Sequence, residues 1–196
     1  MKIEIKKLSS ELIDDYLHFF DTTPHDDELD EHKCYCVCWS SANSEGQDFS
    51  TAEHRRELAI KYIQSNVLQG YLAYCEGKPI GWCNCNTKSD CLECVAGRMY
   101  LAPLVETDTP DTAVVKSVFC FVVAPEMRRM GIAKQLLERV CMDAKAEGYD
   151  FVEAYPIKEF VSTQYDYMGP YNLYIIEGFS VFRDLGNRAI MRKKLN

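Results

Sequence analysis

No run in this chain approaches the ~18 consecutive apolar residues of a membrane span, and the opening MKIEIKKLSS carries no apolar core of an export signal. Both absences predict a cytosolic protein with no membrane partner. Basic residues are the scarcer charge, 22 Lys and Arg against 30 Asp and Glu, for a net charge of −8. That balance argues against a nucleic-acid backbone as partner and is compatible with a cationic amine. The usual zinc signal, two well-separated Cys-x-x-Cys pairs, is also missing, because only Cys91 and Cys94 have that spacing. The ten cysteines therefore read as reduced thiols in a chain without an export signal.

The 196 residues that are present suffice for one domain with its own core. The chain is organised around residues 114–148, VVKSVFCFVVAPEMRRMGIAKQLLERVCMDAKAEG. Residues 114–124 are β-branched and aromatic around one charge, Lys116, and predict a buried strand that Pro125 ends. Ile132, Leu136, Leu137, Val140, Cys141 and Ala144 then recur at helical spacing, closed by Gly148. Between strand and helix lies a small-residue turn with Arg128, Arg129, Gly131 and Ala133. Unpartnered N–H groups and the positive end of the helix dipole suit such a turn to a phosphate. It contains neither GxGxxG nor GxxxxGK[ST], so it supports neither nucleotide-binding fingerprint.

Elsewhere, residues 2–7 alternate as a half-buried strand, and Ser9 or Ser10 caps a helix carrying Leu12, Ile13, Tyr16, Leu17 and Phe20. Residues 21–31 form an acidic turn, read chiefly as solvated surface. Ser50 and Glu53 make a capping-box pattern that opens a second helix to about Val67. Residues 71–75 and 78–86 flank Glu76-Gly77 as a hairpin, with Trp82, Asn84 and Asn86 on one face and Cys83 and Cys85 on the other. Residues 87–111 read as an insert, residues 150–155 as a strand stopped by Pro156, and residues 179–193 as a closing hairpin.

Cys34, Cys36 and Cys38 alternate with Tyr35 and Val37 ahead of Trp39. Along an extended strand, i and i+2 stand ~6.5 Å apart, whereas zinc thiolates each lie ~2.3 Å from the metal. The segment therefore reads as half-buried packing under Tyr35 and Trp39, and no metal is expected there or at Cys83, Cys85, Cys91 and Cys94.

The run Val123-Ala124-Pro125-Glu126, followed by Arg128-Arg129-Met130-Gly131-Ile132-Ala133, resembles the acetyl-CoA signature of the GCN5-related N-acetyltransferase (GNAT) family, [Q/R]-x-x-G-x-[G/A] after a V-x-P strand end. A second stretch, residues 169–179, resembles that family's Y-x-x-x-G-F segment, with Tyr174 at the tyrosine and Gly178-Phe179 at its end. The resemblance implies an α/β fold: a mostly antiparallel sheet of six to seven strands with one splayed parallel pair and helices on both faces. It implies a single domain over 1–196, with residues 1–113 on the acceptor side and 114–196 on the acetyl-CoA side.

It further implies transfer of an acetyl group from acetyl-CoA to a primary amine, on a small molecule or a peptide, by a monomer or homodimer. Phe121, Val122, Val123, Arg128, Arg129, Met130, Gly131, Ile132, Ala133 and Lys134 would hold acetyl-CoA. The Val123 N–H would polarise the thioester carbonyl, and Tyr174 would act as general acid, with Tyr171 in reserve. Tyr35 and Trp39 would fall near the acceptor. The base is open among Glu93, Glu106, Asp108 and Glu153. Two further readings stand beside this one: a silent acyl-CoA sensor and a zinc- or redox-responsive protein built on the cysteines.

Overall fold

Among the described residues, the sequence periods become seven strands in one sheet. β1 (Ile3–Lys7), β2 (Gly70–Cys75), β3 (Lys78–Thr87), β4 (Val115–Val123), β5 (Phe151–Ala154), β6 (Ser180–Leu185) and β7 (Arg188–Lys194) lie in the order β1-β2-β3-β4-β5-β7-β6. The computed structural model describes residues 2–24, 29–40, 46–98, 113–162 and 165–195. All neighbouring pairs are antiparallel except β4 and β5, which are parallel. The helices among the described residues include α1 (Ile13–Thr22), α2 (Ala52–Gln64), the single turn α3 (Lys88–Cys91), α4 (Ile132–Ala146) and α5 (Tyr171–Ile176).

Strand alternation sends every second side chain to the opposite face, so the sheet has a core on each side. α4 lays Leu136, Leu137, Val140 and Ala144 against Ala73, Cys83, Cys85, Val118 and Val152 on one face. On the other, Tyr16, Leu17 and Phe20 of α1 and Leu58 and Ile63 of α2 pack on Leu72, Tyr74 and Trp82. The expected division of β3 is realised, because Cys83 and Cys85 belong to the α4 core and Trp82 to the α1/α2 core. The cap of α2 differs from the expected Ser50: Thr51 accepts from His54 N–H at 3.1 Å, while Ser50 N–H is taken by Asp48 Oδ1 at 2.8 Å.

Two features of β4 position the site. In its register with β3, Asn84 faces Cys120 and Cys85 faces Val118, so Phe119 is an extra residue, a β-bulge that bends the strand. The bulged ring stacks between Trp39 (centroids 4.9 Å apart) and Tyr155 (6.1 Å). The second feature is the brevity of β5. It pairs with β4 only from Val115 to Val118, after which Tyr155 and Pro156 lead the chain away. Pro156 has no N–H to extend a ladder. β4 continues along β3, so from the bulge onward β4 and β5 splay.

Candidate active site

A cavity of ≈ 730 Å³ opens where β4 leaves β5. It is lined from both faces of the sheet: Phe121, Val123 and Ile132 belong to the α4 side, Phe20, Cys36 and Cys120 to the α1/α2 side. The cavity therefore threads the sheet through the gap.

The backbone of β4 faces that gap. Ala124 N–H donates to Ile80 O at 3.0 Å, so residues 120, 122 and 124 turn their polar groups to β3, and residues 121 and 123 turn theirs away. Phe121 N–H accordingly donates to Tyr167 O at 2.7 Å, from the loop that follows β5. Val123 N–H, two residues on, points into the same gap.

At one end of the cavity is the turn before α4. Pro125–Met127 form one 3₁₀ turn, Arg129 (φ 64°) and Gly131 (φ 78°) are left-handed, and α4 begins at Ile132. Gly131 makes no side-chain cap, and no acidic residue lies in the first turn of α4. A Cβ at Gly131 would meet no protein atom within 4 Å. The first N–H groups of a 15-residue helix thus look onto open space beside Arg128 and Arg129, an arrangement that fits a pyrophosphate. Arg128 Nε donates to Val123 O at 3.3 Å. Lys134 lines the cavity, but its Nζ is held by Glu177 at 2.6 Å and Glu138 at 3.1 Å, leaving its backbone as the group nearest a ligand. Phe121, Val122, Val123, Arg128, Arg129, Gly131, Ile132, Ala133 and Lys134 all border this cavity; Met130 does not, and is half exposed.

Tyr174 lies one layer behind the wall. Its ring is fully buried and its hydroxyl donates to Met168 O at 2.5 Å. Burial pushes its pKa well above that of an ordinary phenol, so it stays protonated. The layer over it is Gly169, which lines the cavity; a Cβ there would stand 3.0 Å from both Tyr174 Oη and the Phe121 ring. Tyr171 is half-buried against the same core.

The other end of the cavity is built from Phe20, Thr23 and Pro24 at the end of α1 and, within residues 33–39, from Lys33, Cys34, Cys36, Cys38 and Trp39. That segment is no strand. Tyr35 (φ 45°) and Cys36 (φ 48°) are left-handed and Val37–Trp39 form a 3₁₀ turn, which curls the three thiols together. Cys34, Cys36, Cys38 and Cys120 all border the cavity. Hydrogen bonding to Cys36 followed by burial holds the Cys34 thiol far above its ordinary pKa, Cys120 does most to raise Cys36, and burial pushes Cys38 up to about 11. All three are neutral near pH 7. Trp39 borders the cavity as expected, whereas Tyr35 does not, its hydroxyl donating to Asp21 Oδ1 at 2.7 Å. Among the described residues no three His, Cys, Asp or Glu side chains converge as metal ligands. Cys91 and Cys94 pack with Trp39 and Phe119, apart from Cys83 and Cys85 in the α4 core.

The carboxylates considered as base lie elsewhere. Glu153 is fully buried, accepting from Lys88 Nζ at 2.5 Å, Tyr155 Oη at 2.7 Å and Arg192 Nε, which commits both its oxygens. Glu93 is exposed and does not border the cavity. Glu106 and Asp108 lie outside the described residues. The carboxylate that does line the cavity, among the described residues, is Asp166, whose Oδ2 accepts from Val161 N–H at 3.0 Å. Sequence reasoning passed over it because nothing local marks it: it is one acid in an irregular loop, brought to the gap by the bond between Tyr167 and Phe121.

No helix among the described residues is long and apolar enough to cross a membrane. No curated protein matches the sequence. Solved structures do resemble the fold. An N-acetyltransferase from Staphylococcus aureus Mu50 is 16% identical with a TM-score of 0.55 over 100% of both chains. PaiA N-acetyltransferase from Thermoplasma acidophilum, solved with coenzyme A, is 20% identical with a TM-score of 0.55 over 99% of each. The ribosomal-protein-S18-alanine N-acetyltransferase from Escherichia coli is 12% identical, with a TM-score of 0.52 over 100% of this chain and 95% of that one. A family model described as Acetyltransferase (GNAT) family matches residues 37–160, well over half of the sequence and including the turn before α4, and the chain therefore belongs to the GNAT acetyltransferase family.

Proposed function

We propose that the protein transfers an acetyl group from acetyl-CoA to a primary amine by direct attack, residues 114–196 holding acetyl-CoA and residues 1–113 supplying most of the acceptor side. The observation that carries this reading is the single cavity that joins the open N-terminus of α4 to the thiol-lined floor through the gap beside Val123. Acetyl-CoA supplies an activated thioester.

Each remaining task falls to a group of this chain. The backbone N–H groups of Ile132, Ala133 and Lys134, with Arg128 and Arg129, hold the pyrophosphate. Val123 N–H donates to the carbonyl oxygen as negative charge develops on it. Asp166 takes the proton shed by the amine, directly or through one water. Tyr174, protonated at working pH, gives its proton to the departing sulfur past Gly169, whose missing side chain leaves its Oη near the cavity, by turning its O–H away from Met168 O. The amine attacks as the free base, its ammonium form first losing one proton to solvent through Asp166. The carbon–nitrogen bond then forms as the carbon–sulfur bond breaks, Asp166 taking the second proton while Tyr174 supplies one to the thiolate, and both groups re-equilibrate with solvent between turnovers.

The test is calorimetric titration with acetyl-CoA, followed by mass spectrometry of the protein incubated with acetyl-CoA alone. One acetyl-CoA per chain, lost in Gly131→Val, and no acetyl group left on the protein are expected. Acetylation of a cavity cysteine in the absence of amine would overturn direct attack, and absence of binding would overturn the reading as a whole.

A further inference from the structure

Resting on the acetyl-transfer reading, we infer that the acceptor is a compact monoamine with an apolar, preferably aromatic body, whose single cationic nitrogen is received by Asp166. The acceptor end of the cavity has the chemistry for such a body. Phe20 and Trp39 present rings, and Trp39 is fixed by its stack on Phe119 at 4.9 Å. The same cavity is lined by the thiols of Cys34, Cys36 and Cys38, which carry no charge near pH 7 and are as apolar as a small side chain. Phe160 lines the same cavity yet is 72% exposed, a large ring left in water at the rim. An apolar guest covers it, which a hydrated polycation does not.

Charge selects in the same direction. The cavity has one carboxylate among its described lining residues, Asp166, with one oxygen already accepting from Val161 N–H. Lys33, the cation on that side, is tied to Asp30 at 2.8 Å and to Asp21 O at 2.6 Å. A polyamine or an aminoglycoside brings several ammonium groups. Among the described residues, the ammonium groups beyond the first find no second carboxylate lining this cavity, and an unpaired buried charge is strongly disfavoured.

The experiment compares 2-phenylethylamine with spermidine and kanamycin at saturating acetyl-CoA, reading thiol release, with calorimetry of phenylethylamine on the CoA-bound protein. A preference for phenylethylamine of at least ~100-fold in kcat/KM is expected, the order by which a site rejects a substrate whose polar groups it cannot pair. Trp39→Ala raises KM for phenylethylamine about tenfold with acetyl-CoA affinity unchanged, and Phe160→Ser, at an exposed position that folding tolerates, raises it about threefold. Preferential turnover of spermidine or kanamycin overturns the inference. So does a protein that binds acetyl-CoA but neither binds nor acetylates phenylethylamine. Failure to bind acetyl-CoA instead removes the acetyl-transfer reading, and this inference with it.

Discussion

Glu153 offers the sharpest separation of stability from chemistry. Its carboxylate is fully buried and both oxygens are taken, one by Lys88 and Tyr155 and the other by Arg192, themselves only 7%, 0% and 6% exposed. Glu153→Gln keeps the shape and removes the charge, leaving two cations in the interior without a counter-ion. Breaking a buried ion pair on one side is worth about 3–5 kcal/mol. In a chain of this size each kcal/mol moves Tm by about 2–4 °C, so a fall of roughly 6–20 °C is expected in calorimetry. Adding Lys88→Met to Glu153→Gln removes one stranded cation and should recover part of the loss, a coupling on the order of 1–3 kcal/mol. Acetyl transfer assayed well below the melting transition should stay within about threefold of wild type, because Glu153 does not border the cavity. A Tm within 2 °C of wild type, or a hundredfold loss of kcat with an unchanged Tm, would refute the reasoning and return Glu153 to the list of bases.

Three more predictions concern the cavity wall. Tyr174→Phe should lower kcat at least tenfold while acetyl-CoA affinity stays within twofold, measured by thiol release and calorimetry; unchanged turnover would remove the hydroxyl from the acid role. Gly169→Ala should destabilise by about 1–2 kcal/mol in urea melts, since φ is +90° and the new Cβ would stand 3.0 Å from Tyr174 Oη and Phe121. The thiols of Cys36 and Cys38 are raised in the folded state, so the stability they contribute is complete below the ordinary thiol pKa of about 8.5 and is lost as pH rises through the folded values, about 11 for Cys38. Calorimetric scans should therefore show Tm level from pH 7 to 8.5 and falling above, with the fall reduced in Cys38→Ala.

How much of this was legible follows from how local each signal is. The strand, turn and helix around Gly131 could be read because every cue lies within 35 consecutive residues, and the hairpin at Glu76-Gly77 because a two-residue turn has a composition of its own. The capping-box pattern misplaced the start of α2 by one residue, since Ser50 and Thr51 both suit a cap and only the backbone decides between them. The bulge at Phe119 left no trace in the sequence, because the extra residue is defined by its partners on β3. Residues 34–38 alternate like a strand but curl through two left-handed residues, so the thiols meet at the cavity rather than stand ~6.5 Å apart along one face of a strand. Asp166 was invisible for a similar reason: its place depends on where β5 stops, not on its neighbours.

The brevity of β5 has one last consequence. Along Lys116 to Val118, β4 is an interior strand, paired on both sides; from the bulge to Val123 it is an edge, roughly 16 Å long at ~3.3 Å per residue. An edge in the middle of a sheet is ordinarily a template for a stray chain. Here the carbonyl of Tyr167 occupies one rung of it and Val123 offers the next. One strand thus has two local stabilities, with slow amide exchange in its first half and faster exchange in its second, and whatever extended molecule lies along that edge becomes in effect the sheet's eighth strand.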